Sequence, residues 1–118
     1  MFSRLLWAGA LALGLGFTGT AGAQTQSFPT RPVTIIIPFA PGGGTDVVAR
    51  AMAPAFGTKL GGTIVLENIS GAAGNIAATR VARAEPDGYT LIMHNLAFAL
   101  NPGLYAKLPY DTEKDFVP

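Results

Sequence analysis

Two glycine-rich turns, Pro41-Gly42-Gly43-Gly44-Thr45-Asp46 and Gly71-Ala72-Ala73-Gly74-Asn75, carry most of the chemical content of this sequence. Each follows an apolar, strand-like run and opens a helix-like one. Such a turn leaves several backbone N–H groups unpaired at the helix start, directed at whatever lies above it. Glycine lets that backbone approach a ligand closely. Neither turn contains Lys or Arg, so the chemistry on offer is the holding of an anionic group by backbone donors. A helix N-terminus favours an anion by roughly 0.3–1 kcal/mol when exposed and about 2 kcal/mol when partly buried. Two of them, with direct hydrogen bonds, would hold a small carboxylate without an arginine. Thr45, Asp46 and Asn75 also read as N-caps, worth about 1 kcal/mol each. Asp46, an acid beside an anion site, is compatible with capping a helix, holding water or meeting a ligand's ammonium group.

Reactive side chains are otherwise scarce. His94 is the only histidine; it ends a strand-like run and is a candidate ligand contact as well as a candidate packing residue. With no second histidine or clustered carboxylate pair, metal binding is not expected. No cofactor is expected either. A P-loop needs Gly-Lys-Ser/Thr where this chain has Gly44-Thr45-Asp46, and Val47 stands where G-x-G-x-x-G requires its third glycine. Glu67 sits where a ribose-binding acid would, which keeps a nucleotide fold as a minor alternative. Ser70, in Asn68-Ile69-Ser70-Gly71, does not match the G-x-S-x-G elbow. Phe39 and Tyr105 read as core or rim packing.

The elements that must position these residues follow from the apolar pattern. Val33 to Ile37 is β-branched throughout and lacks polar alternation, as in a strand buried on both faces of a parallel sheet. Asp46 to Leu60 reads as a helix with Val48, Met52, Ala55 and Phe56 on its inner face, kinked or shortened at Pro54 and closed by Gly61-Gly62. Thr63 to Glu67 is a second strand. Ile76 to Glu85 is a second helix with Asn75 as its N-cap and Ala77, Val81 and Ala84 on its apolar face. Tyr89 to Met93 is a third strand, and a short helix is predicted at Pro102 to Ala106. The order β-α-β-α-β with short connections implies an α/β fold with a parallel sheet and right-handed crossovers. In such a sheet ligands bind beyond the carboxyl ends of the strands. Pro38 to Asp46, Asn68 to Asn75 and His94 to Leu96 should therefore converge.

The N-terminus reads as an export signal, residues 1–23: Arg4, an apolar run from Leu5 to Phe17, and Ala21-Gly22-Ala23 before the cut. The run is shorter than the roughly 20 residues of a membrane span. Removing Arg4 leaves seven basic residues against seven acidic ones. No basic cluster or aromatic-basic interleaving is present, so no nucleic-acid partner is expected, nor membrane insertion after signal removal. There is no cysteine, hence no disulfide or thiol chemistry. A segment of this size buries only about 60–65% of its unfolded surface and has no staple. Residues 24–118 are therefore expected to form an incomplete N-terminal α/β domain.

The ordered set of motifs resembles the Bug-type extracytoplasmic solute receptors of tripartite tricarboxylate transporters. It comprises Pro29-Thr30-Arg31-Pro32, Ile37 to Asp46, Glu67-Asn68, Gly71 to Asn75, Pro86 to Leu91, Asn101-Pro102, Leu104-Tyr105, Leu108 to Asp111 and Lys114-Asp115-Phe116. The resemblance implies a two-domain periplasmic-binding-protein fold and no enzymatic activity. The implied partners are a small organic acid or amino-acid-like carboxylate and the transporter's membrane subunits, met in the periplasm. It implies ligand contacts from Phe39, Gly43, Gly44, Thr45 and Asp46 in the first loop and Ala73 and Asn75 in the second. His94-Asn95-Leu96 departs from the family's smaller or hydroxyl residues, and His94 is kept as a ligand-binding candidate. A truncated chain of this kind is expected to bind weakly or not at all alone. Two rival readings stand beside it. One is an exported enzyme acting on a small organic acid, with Ser70 or His94 involved and further catalytic residues in missing chain; the other is a non-functional remnant.

Overall fold

The computed structural model describes residues 27–118 of the chain; the expected signal segment, residues 1–23, lies outside them. The first strand, β1 (Val33–Ile37), forms from the β-branched run. Adjacent strand residues point to opposite faces, and Ile35 and Ile36 are 6% and 1% exposed, so β1 is covered on both sides. β2 (Ile64–Asn68) and β3 (Thr90–Ile92) flank it in the order β2-β1-β3. Both pairings are parallel, running from Val33 opposite Ile64 to Ile37 opposite Asn68, and from Thr34 opposite Thr90 to Ile36 opposite Ile92. The chain is thus the α/β, β-α-β-α-β parallel sheet that the sequence implied, with β1 as expected and the ends of β2 and β3 each displaced by one residue.

The connection from β1 to β2 runs through α1 (Gly44–Leu60), and that from β2 to β3 through a 3₁₀ turn (Ala72–Gly74) and α2 (Asn75–Ala82). The first crossover moves outward from β1 to β2 and the second returns past β1 to β3, in the opposite direction. With the usual right-handed sense they set α1 and α2 on opposite faces of the sheet. Their divergence creates a switch point beside the carboxyl end of β1. Ile69 N–H continues the ladder to Ile37 O, and Met93 N–H to Ile36 O, so all three strand exits leave from one edge.

Two sequence expectations about the helices are corrected, and at Pro54 the shortening is excluded. On α1, Asp46 and Ala49 are buried and Ala53, Phe56, Gly57 and Leu60 partly so, whereas Val48 and Met52 are half-exposed and Ala55 exposed. Phe56 alone of the expected inner face lies inward. The buried stripe is the one that carries the hydrogen-bonded carboxylate of Asp46. Pro54 lies inside α1, which continues to Leu60 before Gly61 ends it in the left-handed conformation (φ 69°). Proline removes the donor to the Arg50 carbonyl, and both residues lie on the exposed side, where water can replace it. Finally, α3 (Ala97–Leu104) starts earlier than Pro102. Asn95 Oδ1 accepts from Ala97 N–H at 3.0 Å, so the start signal is Asn95 and Pro102 falls within the helix.

The observed core makes a direct prediction. Ile36→Ala, at a fully buried position, should destabilise by about 2–5 kcal/mol, whereas Val48→Ser and Met52→Ser should each change stability by under about 0.5 kcal/mol. Urea unfolding of the three variants checks this. A large loss at Val48 or Met52 would restore the inner face expected from the sequence.

Candidate functional site

The first loop is built around Asp46. The N-cap of α1 is Gly43, which makes no side-chain cap, and the first helical hydrogen bond is Val47 N–H to Gly43 O at 2.9 Å. Asp46 does not cap forwards. Its Oδ2 turns back to accept Gly42 N–H at 2.8 Å and Arg50 Nε–H at 2.8 Å. Its Oδ1 accepts from Asn68 Nδ2 at 2.9 Å. The same Asn68 nitrogen donates to Phe39 O at 3.1 Å, and Asn68 Oδ1 accepts from Arg50 Nη2 at 3.1 Å. This 1%-exposed carboxylate therefore ties together loop 1, the second turn of α1 and the end of β2. The Arg50 bond first, then the bonds from Gly42 and Asn68, hold its pKa well below the usual carboxylate range despite opposing desolvation. The N–H groups of Gly44 and Thr45, which precede the first helical bond, are left for the mouth of the sheet.

The second loop is left-handed for four residues in a row. Gly71, Ala72, Ala73 and Gly74 have φ of 131°, 47°, 52° and 88°. Alanine in this region is strained, at a cost of order 1 kcal/mol or more each, and the turn persists because its surroundings hold it. Gly74 must be glycine: a Cβ there would lie 2.2 Å from His94 Nε2. Gly74, not Asn75, is the N-cap of α2, again without a side-chain cap. The N-cap readings of Thr45, Asp46 and Asn75 are therefore corrected, because in both helices a glycine occupies that position. Asn75 is the first helical residue, 6% exposed. Its Oδ1 accepts from Asn101 Nδ2 at 2.7 Å and from Tyr110 OH at 2.6 Å.

The third loop brings His94 between the first two. Its ring meets Phe39 edge-on (centroids 5.4 Å apart, 84°) and leans on Phe98 at 5.2 Å. His94 Nδ1 accepts Asn95 N–H at 2.9 Å, so the neutral ring carries its proton on Nε2. That atom is buried against Gly74 without a hydrogen-bond partner, and burial lowers the imidazole pKa below its ordinary value. His94 thus wedges the loops from beneath. Phe39 is half-buried, whereas Gly44 and Ala73 are exposed. All eight residues singled out from the sequence lie on the loops or the adjoining first helical turns at this one sheet edge, Gly44, Thr45 and Asp46 opening α1 and Asn75 opening α2. Asn68, Arg50, Asn101 and Tyr110, which hold those segments, are not among the candidates that the sequence singles out. Glu67 is engaged by Arg80 in a bidentate ion pair at 2.6 and 3.0 Å, away from any ribose role. Among the described residues no three metal-ligating side chains cluster, and no helix is long and apolar enough to cross a membrane.

A doubly wound sheet with two glycine-capped helix starts at its switch point is the architecture of one lobe of a periplasmic binding protein. The solved periplasmic binding protein BugD matches it at a TM-score of 0.74 and 45% identity, over 77% of this chain and 30% of that one. Residues 48–118 match the model of the tripartite tricarboxylate transporter family receptors, and the chain belongs to that family, in its Bug-type branch. Protein BugT of Bordetella pertussis is 38% identical over 108 residues, 86% of this chain and 33% of that protein. MatC of Rhodopseudomonas palustris, solved with bound malate, matches at a TM-score of 0.66 and 49% identity over 77% of this chain and 31% of that one. The chain spans about a third of the length of the curated relatives it matches. The family comprises periplasmic solute-binding receptors, not enzymes.

The Asp46 hub predicts a pH dependence. In the unfolded chain its carboxyl titrates near the ordinary 3.8, and in the folded chain lower. Its contribution is therefore complete above about pH 5 and is lost as the pH falls through 3.8 towards the folded value, because the unfolded chain takes up the proton first. Asp46→Asn should be less stable at pH 7 and lose less stability between pH 5 and pH 2.5. Urea midpoints across that range check this; equal slopes for the two proteins would exclude the hub.

Proposed function

We propose that this chain binds a small carboxylate outside the cytoplasm for delivery to the membrane subunits of a tripartite transporter. In this reading residues 1–23 are a cleaved export signal, and residues 24–118 contribute part of the first lobe of a two-lobed receptor. One observation carries the proposal: two helix N-termini, each capped by glycine and free of a side-chain cap, open side by side at the switch point. The N–H groups of Gly44 and Thr45, with the start of α2 at Asn75, would take the carboxylate oxygens. Phe39 and the Ala73 backbone would bound the site, with Gly43 setting the approach of loop 1. The solved relative holding malate supports the choice of ligand class.

Asp46 then no longer conflicts with an anion. Arg50 compensates its charge and both carboxylate oxygens are occupied by donors, so it holds the loop instead of facing the ligand. His94 shapes the floor and supports the backbone around Gly74. The ligand would gain binding energy from preorganised donors that need no reordering. Residues 24–118 would supply part of such a site, and on their own are expected to bind the ligand weakly.

Titration with L-malate followed by ¹H–¹⁵N correlation spectra tests the reading. The expected result is saturable shifts confined to the amides of residues 42–46, 73–76 and 94–96, with a Kd of order 1 mM or weaker, and smaller shifts with malate dimethyl ester. Absence of shifts, or shifts scattered over the surface, would refute it.

A further inference from the structure

We propose that Asn101 and Tyr110, outside all three loops, are positioning residues of the carboxylate site: together they set which edge of the Asn75 amide the ligand meets. The proposal rests on the function proposed above. Asn101 is fully buried and Tyr110 is 8% exposed. An amide oxygen has two lone pairs, and Asn75 Oδ1 receives both donors, one from Asn101 and one from Tyr110. With the oxygen so occupied, the Nδ2–H₂ edge of Asn75 faces the opposite way, and it is this donor edge that α2 offers at its first residue. Asn101 Nδ2 also donates to Ala73 O at 3.2 Å, which secures the left-handed turn beneath the same position.

Two features separate positioning from mere cohesion. Asn101 Oδ1 is buried with no hydrogen-bond partner, an unfavourable state that an apolar residue of similar shape would avoid. The network is held in spite of that orphan, and its outer end is the amide of Asn75 at the start of α2. Tyr110 is independently anchored by its ring, stacked on Phe98 at 6.1 Å and 7° and edge-on to Phe116 at 5.7 Å. Its hydroxyl can therefore be removed without releasing the side chain. Phe98 in turn touches His94, so one aromatic row runs from Tyr110 to the floor of the site.

The test is Tyr110→Phe, with Asn101→Ala as a second variant and Val33→Ala, at the opposite end of β1, as a stability control. In the ligand-free proteins the side-chain amide resonances of Asn75 are followed; with L-malate, the Kd. Tyr110→Phe should keep the backbone spectrum outside residues 71–78 and 101–112, shift the Asn75 side-chain pair, and weaken malate about tenfold, the equivalent of one net hydrogen bond. Val33→Ala should lose stability and leave both readouts unchanged. An unmoved Asn75 pair, or a moved pair with unchanged malate affinity, would overturn the proposal. If the unsubstituted chain shows no malate response, the functional reading fails separately. Positioning is then judged on the Asn75 resonances alone, where no shift again overturns it. Should Asn101→Ala fail to fold, Tyr110→Phe decides.

Discussion

One buried carboxylate organises the mouth of this sheet. Asp46 sits in the first turn of α1 where the helix meets β1 and β2, and it accepts from a loop N–H, an arginine on the next turn and an asparagine at the end of β2. An isolated buried charge would be prohibitively unfavourable. Here every oxygen is occupied and the compensating Arg50 is half in solvent, so the desolvation of a second ion is avoided. Because Asn68 belongs to the same network and also binds Phe39 O, the loop after β1 is fixed to the strand beside it. The helix start can then remain uncapped, with its donors turned outward.

The second loop reaches the same end by different means. No charge holds it. Four successive left-handed residues reverse the chain within a single turn, and the strain is balanced by the Asn75–Asn101–Tyr110 network below and the His94 ring alongside. Both loops thus present backbone donors, while the Asp46 carboxylate and the Asn75 amide oxygen are engaged inward. This is consistent with a receptor for a small anion that must also let it go: donors fixed in advance bind without reorganisation, and without an arginine the attraction stays moderate.

Much of this was legible in the sequence. The β-branched run of β1, the two strand-turn-helix units and the convergence of three loops follow from composition and order, since a strand buried on both faces has few alternatives. The inner face of α1 was not legible, because Val48 and Met52 compete with a stripe whose key member is the charged Asp46, and apolar periodicity cannot recommend a carboxylate. Nor was the conformation of Ala72 and Ala73, as alanine carries no signal for positive φ. Asn101 and Tyr110 lie 26 and 35 residues from Asn75, beyond any local pattern. The resemblance to Bug-type receptors included the motifs that contain them without indicating what they do.

In the proposed site backbone N–H groups at the two helix starts, with the Asn75 amide edge beside them, hold the anion, and Gly44→Pro tests the backbone contribution most directly. Gly44 is the first residue of α1, a Cβ there meets nothing within 4 Å, and the preceding Gly43 is extended at ψ 166°, the conformation a residue before proline prefers. Proline is tolerated at this helical position and removes one donor. The expected result is an unchanged or slightly raised Tm together with malate binding weakened about tenfold. Malate affinity unchanged in a folded Gly44→Pro protein would contradict it.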